Sequence, residues 1–429
     1  MPPGHERQQL VESIDAVEDP DSSFVTNYIK ISDDKGIVLH DTTGKTSKDV
    51  PSSGNKREPT SGAAIRGQQG TMPKRRLVPT DYTVGWICAI TTEYVAAQAF
   101  LDEQHHDLEV AVHDDNHYAL GRIGDHNVVI AVLPDGEYGT SSATSVAKDM
   151  LHTFSNVRIG LMVGIGGGAP SQEHGHDIRL GDVVVSVPRQ GNGGVIQYDF
   201  GKTIQGQGFH TTGFLNKPPT FLGAAVNGLR AAYEMEGHQL KEAVDSVLMK
   251  KPRLQKKYSK PGPDSDRLYK TGFIHPENSN ASCEASCGCD PTTLVLRPQR
   301  TEDQDDPDIH YGLIASANCL MKDASIRDKL SAEKDVLCFE MEAAGLMNHF
   351  PCLVIRGVCD YSDTHKNKEW QGYAAMTAAA YAKDLLYKIP INKVKAEKKI
   401  CDILSEQSKT LSGQLQDLEQ YYDNTPISV

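Results

Sequence analysis

The sequence predicts an α/β domain with a central, mostly parallel sheet covered by helices on both sides. Three observations carry this. From Tyr82 onward, short apolar runs alternate with longer amphipathic stretches, the pattern of strands joined through helices. The apolar run 353–358 leads almost directly into an acid, Asp360. Open α/β sheets gather their chemistry at the carboxyl ends of such strands. The pattern then closes on a helix of small residues over 372–386.

The elements follow in order. Residues 82–90 read as a strand ending in Thr91-Thr92-Glu93, with a helix over 94–103 behind it. Residues 117–123 and 127–133 read as paired strands around Gly124-Asp125. A helix is expected over 141–154, with Val146, Met150, Leu151 and Phe154 on its apolar face. Residues 159–163 are a buried-type strand, ended by a glycine-rich turn over 164–168. Gly181-Asp182 lead into a strand over 183–187. Residues 203–309 interrupt the rhythm as an insert. It holds a helix over 218–236, a basic segment over 250–260, three cysteines and an acidic run over 302–308. The core resumes at 310–316.

Composition bounds the rest. The chain has 429 residues and 38% apolar content, low enough that part of it lacks a core. Residues 1–79 are rich in Ser, Asp, Gly, Pro and Lys without sustained period, and are expected to be a disordered tail. Residues 391–429 are expected to be a helical tail, in which Leu404, Leu411, Leu415, Leu418 and Tyr422 fall at heptad-like spacing. Ser408 takes the one remaining seam position, so any coiled coil is short. The catalytic domain is therefore assigned to 80–390.

A net charge of −13 argues against a nucleic-acid polymer as partner. No apolar run approaches the roughly 20 residues that span a bilayer, so no membrane partner is expected. The polar, acidic N-terminus reads as neither a secretory nor a transit peptide. Nine scattered cysteines suit a reducing compartment, and the cytoplasm is the expected location. Cys283, Cys287 and Cys289 lie near His275, but their spacing matches no standard zinc motif. They are read as a free-thiol loop or a local disulfide, and neither metal nor cofactor is expected.

Three carboxylates, Glu93, Glu342 and Asp360, each sit at or near the C-terminal end of a core element. Carboxylates with separately tuned pKa values can protonate a leaving group and direct water in glycosidic cleavage. Glu340-Met341-Glu342-Ala343-Ala344, followed by Arg356-Gly357-Val358-Cys359-Asp360, resembles the methylthioadenosine/S-adenosylhomocysteine nucleosidase branch of the nucleoside phosphorylase superfamily. The resemblance covers roughly residues 82–390 and implies a three-layer phosphorylase-type domain. Related domains occur in fungal NLR-like proteins and in ATP nucleosidase effectors.

By this resemblance, Glu93, the last residue of Ala89-Ile90-Thr91-Thr92-Glu93, activates water, and Asp360 protonates purine N7. Met341 packs under the ribose and Glu342 accepts its 2′ and 3′ hydroxyls. Gly166 and Gly167 of the glycine-rich turn, the backbone of Met321, Phe339 and Glu340 complete the substrate-binding set. Glu340 and Arg356 are further read as a structural pair. Two departures stand out: Leu320 where an aromatic residue often stacks on the base, and Cys359 where Ser usually orients the acid. No basic residue occurs in 90–94 or 163–169, which favours water over phosphate as nucleophile.

The expected activity is an adenine nucleoside or nucleotide N-ribosyl hydrolase, with ATP and other adenosine 5′-phosphates among its substrates. The alternatives are a phosphate-dependent purine nucleoside phosphorylase and an inactive nucleotide-sensing module. A 5′ phosphate would be met by the 250–260 segment or by Arg189, Lys202, Arg267 or Lys270, unless that segment is simply a solvated helix face. The resemblance also implies a homo-oligomer.

Overall fold

The computed structural model describes residues 75–423, apart from 208, 277–282, 302 and 367. Most of the expected N-terminal tail therefore lies outside the described residues. The strands are β1 (Val84–Cys88), β2 (Glu103–Gln104), β3 (Tyr118–Ile123), β4 (His126–Val132), β5 (Ile159–Gly168), β6 (Val183–Ser186) and β7 (Val195–Gln197). They continue with β8 (Gly201–Thr203), β9 (Phe209–Thr211), β10 (Ile309–Ser316), β11 (Val336–Glu340) and β12 (Cys352–Asp360). The helices are α1 (Thr91–Ala99), α2 (Thr140–Thr153), α3 (Thr220–Glu236), α4 (Leu240–Lys250), α5 (Gln255–Tyr258) and α6 (Cys283–Ser286). After them come α7 (Ala324–Lys334), α8 (Ala343–Leu346), α9 (Gln371–Lys388), α10 (Ile391–Ala396) and α11 (Ile400–Asp423).

The fold is a three-layer α/β domain with a mixed, mostly parallel central sheet. Its strand order is β11-β10-β6-β12-β5-β1-β4-β3-β2, with β7 added beside β10. Strand β1 runs parallel to both β4 and β5, and β12 runs parallel to β5. Strands β6 and β12 are antiparallel, as are β3 and β4. Strands β1, β11 and β12 are buried along nearly their whole length, as expected of a sheet covered on both faces.

One expectation is corrected here. The glycines at 164–168 do not form a turn after the strand; they are its second half, since β5 runs through Gly168. Two other strands approach this half closely. Residues Cys338 and Phe339 of β11 pair antiparallel with Gly168 and Gly167. On the other side, Asp360 at the end of β12 pairs with Gly167. Side chains on β5 would obstruct both approaches.

Helix α9 lies against β12 and β5 and also meets α1, α3, α4 and α5. Six of its buried residues are alanines, and Ala374 comes so close to Gly357 of β12 that a Cβ there would collide with the helix backbone. The insert joins the same core. Leu222, Val226 and Leu229 of α3, and Leu240, Val244 and Leu248 of α4, are buried at helical spacing. Helix α11 is present, but the side chains of Leu411, Leu415, Leu418 and Tyr422 lie outside the described residues. No helix among the described residues is long and apolar enough to cross a membrane.

Asp182 ties the end of the insert to the sheet. It is fully buried just before β6. Its carboxylate accepts two hydrogen bonds from Arg300, both 2.6 Å, and one from His310 Nε2 at 2.9 Å. The backbone N–H groups of Arg179 and Asp308 donate at 2.8 and 2.9 Å. Burial would raise its pKa, but the Arg300 and His310 bonds overrule it and hold the carboxyl well below the usual range. Its contribution to stability is therefore present above the ordinary carboxylate range and is lost as pH falls below it. Asp182→Ala leaves Arg300 buried without its main partner, so we expect a loss of about 3–5 kcal/mol in urea unfolding at neutral pH. The loss should shrink in acid, where the wild type forfeits the same interaction.

Candidate active site

Six chain segments converge where β5, β11 and β12 end. They enclose a cleft of about 510 Å³. Glu93, Gly166, Gly167, Phe339, Glu340, Met341, Glu342 and Asp360 all line it. The sequence reading therefore named residues that the fold brings together across more than half the chain.

Glu93 arrives from the first turn of α1, which starts three residues earlier than the sequence pattern suggests. One carboxylate oxygen folds back and accepts from the N–H groups of Ala89 (2.6 Å) and Ile90 (3.2 Å). This meets backbone donors that a helix start leaves unpaired. The other oxygen accepts from Ile165 N–H at 2.8 Å. Burial nonetheless raises its pKa, against the opposing pull of Arg356 and these three donors. Gly164 is required here by close approach, because a Cβ at that position would collide with the Glu93 carboxylate.

Glu340 ends β11, and Glu342 immediately precedes α8. Glu340 accepts from the N–H groups of Glu342 and Ala343, and so caps the short helix. Both carboxylates meet Arg356, which is fully buried in the middle of β12. Its guanidinium donates to Glu340 and, at 3.4 Å, to Glu342, and its other terminal nitrogen lies 3.9 Å from Glu93. The structural pairing of Arg356 with Glu340 is thus present and extends to two further acids. With three carboxylates around one guanidinium, burial pushes the Glu342 pKa up to about 7.

Asp360 closes the strand end. Its carboxylate accepts from Ser362 N–H at 2.8 Å and forms an ion pair with Lys366 Nζ at 3.0 Å. The Cys359 thiol donates to it at 3.4 Å. A Cβ on Gly167 would come within 2.6 Å of its Oδ1, so only glycine lets the acid lie beside β5.

The Met321 side chain packs into a small apolar cluster with Ala169, Ala315, Val336 and Phe339, and Leu320 and Lys322 form the cleft wall on either side of it in sequence. One expectation is corrected: the cations proposed for a 5′ phosphate are absent from the lining. Lys257 donates to Thr92 Oγ1, Lys260 pairs with Asp306, and Lys270 donates to the Thr292 carbonyl. The cations on the cleft wall are Lys322, Lys366 and Lys368. Sequence reasoning missed all three, although Lys366 and Lys368 stand in the polar loop that directly follows Asp360. Tyr138 and Gln371 were missed as well.

No family model matches the chain. It is 47% identical over 320 residues to a nucleotide-binding leucine-rich repeat (NLR)-like protein of Hyaloscypha variabilis. That match takes in 74% of this chain and 30% of the relative, so the chain spans less than a third of that protein's length. Solved structures that align with it include futalosine hydrolase of Helicobacter pylori, at 15% identity and TM-score 0.45, covering 72% of this chain and 98% of that one. Another is the 5′-methylthioadenosine/S-adenosylhomocysteine nucleosidase of Neisseria meningitidis in complex with methylthio-immucillin-A. It aligns at 15% identity and TM-score 0.45, covering 72% of this chain and 99% of that one.

The charge cluster gives a direct test. Arg356→Leu leaves three acids buried without their cation, and we expect it to cost about 3–5 kcal/mol in urea titration near neutral pH. Because protonation relieves that repulsion, the deficit should be smaller in acid. A deficit that is constant with pH would separate the stability loss from the carboxylates.

Proposed function

We propose that this domain hydrolyses the N-glycosidic bond of an adenine nucleoside or nucleotide, releasing the free base. The observation that carries this reading is the single cleft shared by Glu93, Met341, Glu342 and Asp360. Glycosidic cleavage needs an acid for the leaving base, a holder for a ribosyl cation-like transition state, and a base that directs water. Asp360 protonates N7. Glu342 accepts the ribose hydroxyls and Met341 packs beneath the sugar. Glu93 orients and deprotonates the water. Gly166 and Gly167 give the substrate access to the β5 backbone, and Phe339 offers an apolar wall. Residues 80–390 form the catalytic domain in this reading.

Water is favoured over phosphate by the charge at the floor of the cleft. Glu93, Glu340 and Glu342 surround Arg356 and occupy its guanidinium, so it is not free to hold an anion. Lys322, Lys366 and Lys368 line the same cleft and suit the phosphates of an adenosine nucleotide. Tyr138 and Leu320 are more than half exposed at the cleft, which is consistent with a second copy covering it in a homo-oligomer.

The decisive assay is chromatography after incubation with adenosine, methylthioadenosine, AMP, ATP and inosine, separately and without phosphate. Adenine release is expected, with nucleotides turned over best. Release only after phosphate is added would make the enzyme a phosphorylase, and no release under either condition would favour an inactive sensor. Asp360→Asn should lower turnover by about 100- to 10,000-fold with little loss of stability, and Glu93→Gln should lower it comparably while also costing stability, because both Glu93 oxygens accept buried backbone N–H groups. Lys322→Ala with Lys368→Ala should raise KM for ATP more than for adenosine.

The pH profile follows from the buried acids. Glu93 must be ionised to take a proton, and burial raises its pKa. Activity should therefore climb with pH, its acid limb displaced above the ordinary carboxylate range. Glu342, pushed up to about 7, adds a fall in KM as pH rises through that value. Glu342→Gln should remove that second component, and an acid limb complete in the ordinary carboxylate range would overturn the assignment of Glu93.

A further inference from the structure

Behind the Asp360 loop lies a second cluster of chemically active side chains. His275, from the insert, has its Nδ1 at 3.1 Å from Cys287 Sγ and 3.7 Å from Cys283 Sγ. Donor atoms of His275, Cys287 and His365 all lie within 4.8 Å of one another. The nine cysteines are free, so no disulfide occupies the cluster. In a tetrahedral zinc site, Zn–S and Zn–N bond lengths place sulfur and nitrogen ligands about 3.5 Å apart. The two distances from His275 bracket that value.

His365 supplies an independent observation. Its side chain is 4% exposed, and both ring nitrogens are buried without a hydrogen-bond partner. The nearest acid, Asp363, approaches Nδ1 only to 3.5 Å. Buried imidazole nitrogens left unpaired are costly, and a ligand on one of them removes the cost. The ring is also held in place. It stacks on Tyr269 with centroids 3.9 Å apart and on Phe273 at 5.6 Å, and it meets the His275 ring edge-on at 5.7 Å. The other His/Cys/acid cluster among the described residues, His174, His176 and Asp335, differs in this respect. Its His176 already bonds Asp335 at 2.7 Å.

We propose that His275, Cys283, Cys287 and His365 bind one structural zinc ion, linking the insert to the loop that carries Asp360 and Lys366. Two thiolates and two neutral imidazoles are a ligand set zinc prefers, and four protein ligands leave no open position for catalysis. Cys283 and Cys287 come from one turn, since Cys287 N–H donates to the Cys283 carbonyl. His365 lies five residues beyond Asp360 and is adjacent to Lys366. The ion would thus fix the far side of the catalytic loop. Thiols must lose their protons to bind the ion, so affinity should fall in acid.

The test uses the full chain, purified with reductant and dialysed. Elemental analysis should find one zinc per chain. Cobalt(II) added after chelation should give the intense visible bands of a tetrahedral thiolate site, and chelation alone should lower Tm. Cys287→Ser and His275→Ala should each lose the metal and the cobalt spectrum. Cys289→Ser, at an exposed neighbour in the same loop, should keep both and controls for folding. Wild-type protein that takes up neither zinc nor tetrahedral cobalt would overturn the proposal. So would an intact mass two hydrogens low from a Cys283–Cys287 disulfide in freshly purified protein, or metal lost equally in the Cys289 variant.

Discussion

The candidate site depends on one buried guanidinium. Arg356 is fully enclosed, and three carboxylates from two distant segments point at it. A lone buried charge is expensive, and so are three acids gathered out of water. Together they become tolerable, and the arrangement fixes α1, the end of β11 and the centre of β12 relative to one another. The cluster still holds more acid than base. Burial raises the pKa of Glu93 and of Glu342, and at Glu342 the neighbouring Glu340 and Glu93 add to it. The structural ion cluster and the candidate chemistry are therefore the same atoms.

Backbone access decides the rest of the cleft. The second half of β5 has almost no side chains, so β11 can pair with it on one side while Asp360 lies against it on the other. The Glu93 carboxylate fits only because residue 164 has no Cβ, and Asp360 only because residue 167 has none. The insert then braces this assembly. Helices α3 and α4 pack on α9, and Arg300 and His310 converge on Asp182 at the start of β6.

Much of this was legible in the chain. Asp360 follows an apolar strand, and an acid at a strand end is a local signal, while Glu340, Met341 and Glu342 were legible through their resemblance to a known motif. Glu93 was legible for the same reason. The glycines at 164–168 were noticed but misread as a turn, because glycine loosens a strand in sequence statistics while permitting close approach in space. Lys322, Lys366 and Lys368 were missed because loop lysines look solvated until the loops are folded over a cavity.

The sequence by itself determined the main alternation of core strands and helices, the acids at or near their ends and the exclusion of a membrane-spanning helix pattern. These depend on periodicity and residue type over short windows. Only the tertiary structure decided which charges share a pocket. Arg356 meets Glu93 across 263 residues of chain, and His275 meets His365 across 90. Such pairings depend on sheet order and on how the insert folds back, and neither leaves a mark in local spacing. The cysteine loop shows the difference most plainly, since its spacing matched no motif until the sheet delivered a buried, unpaired histidine beside it.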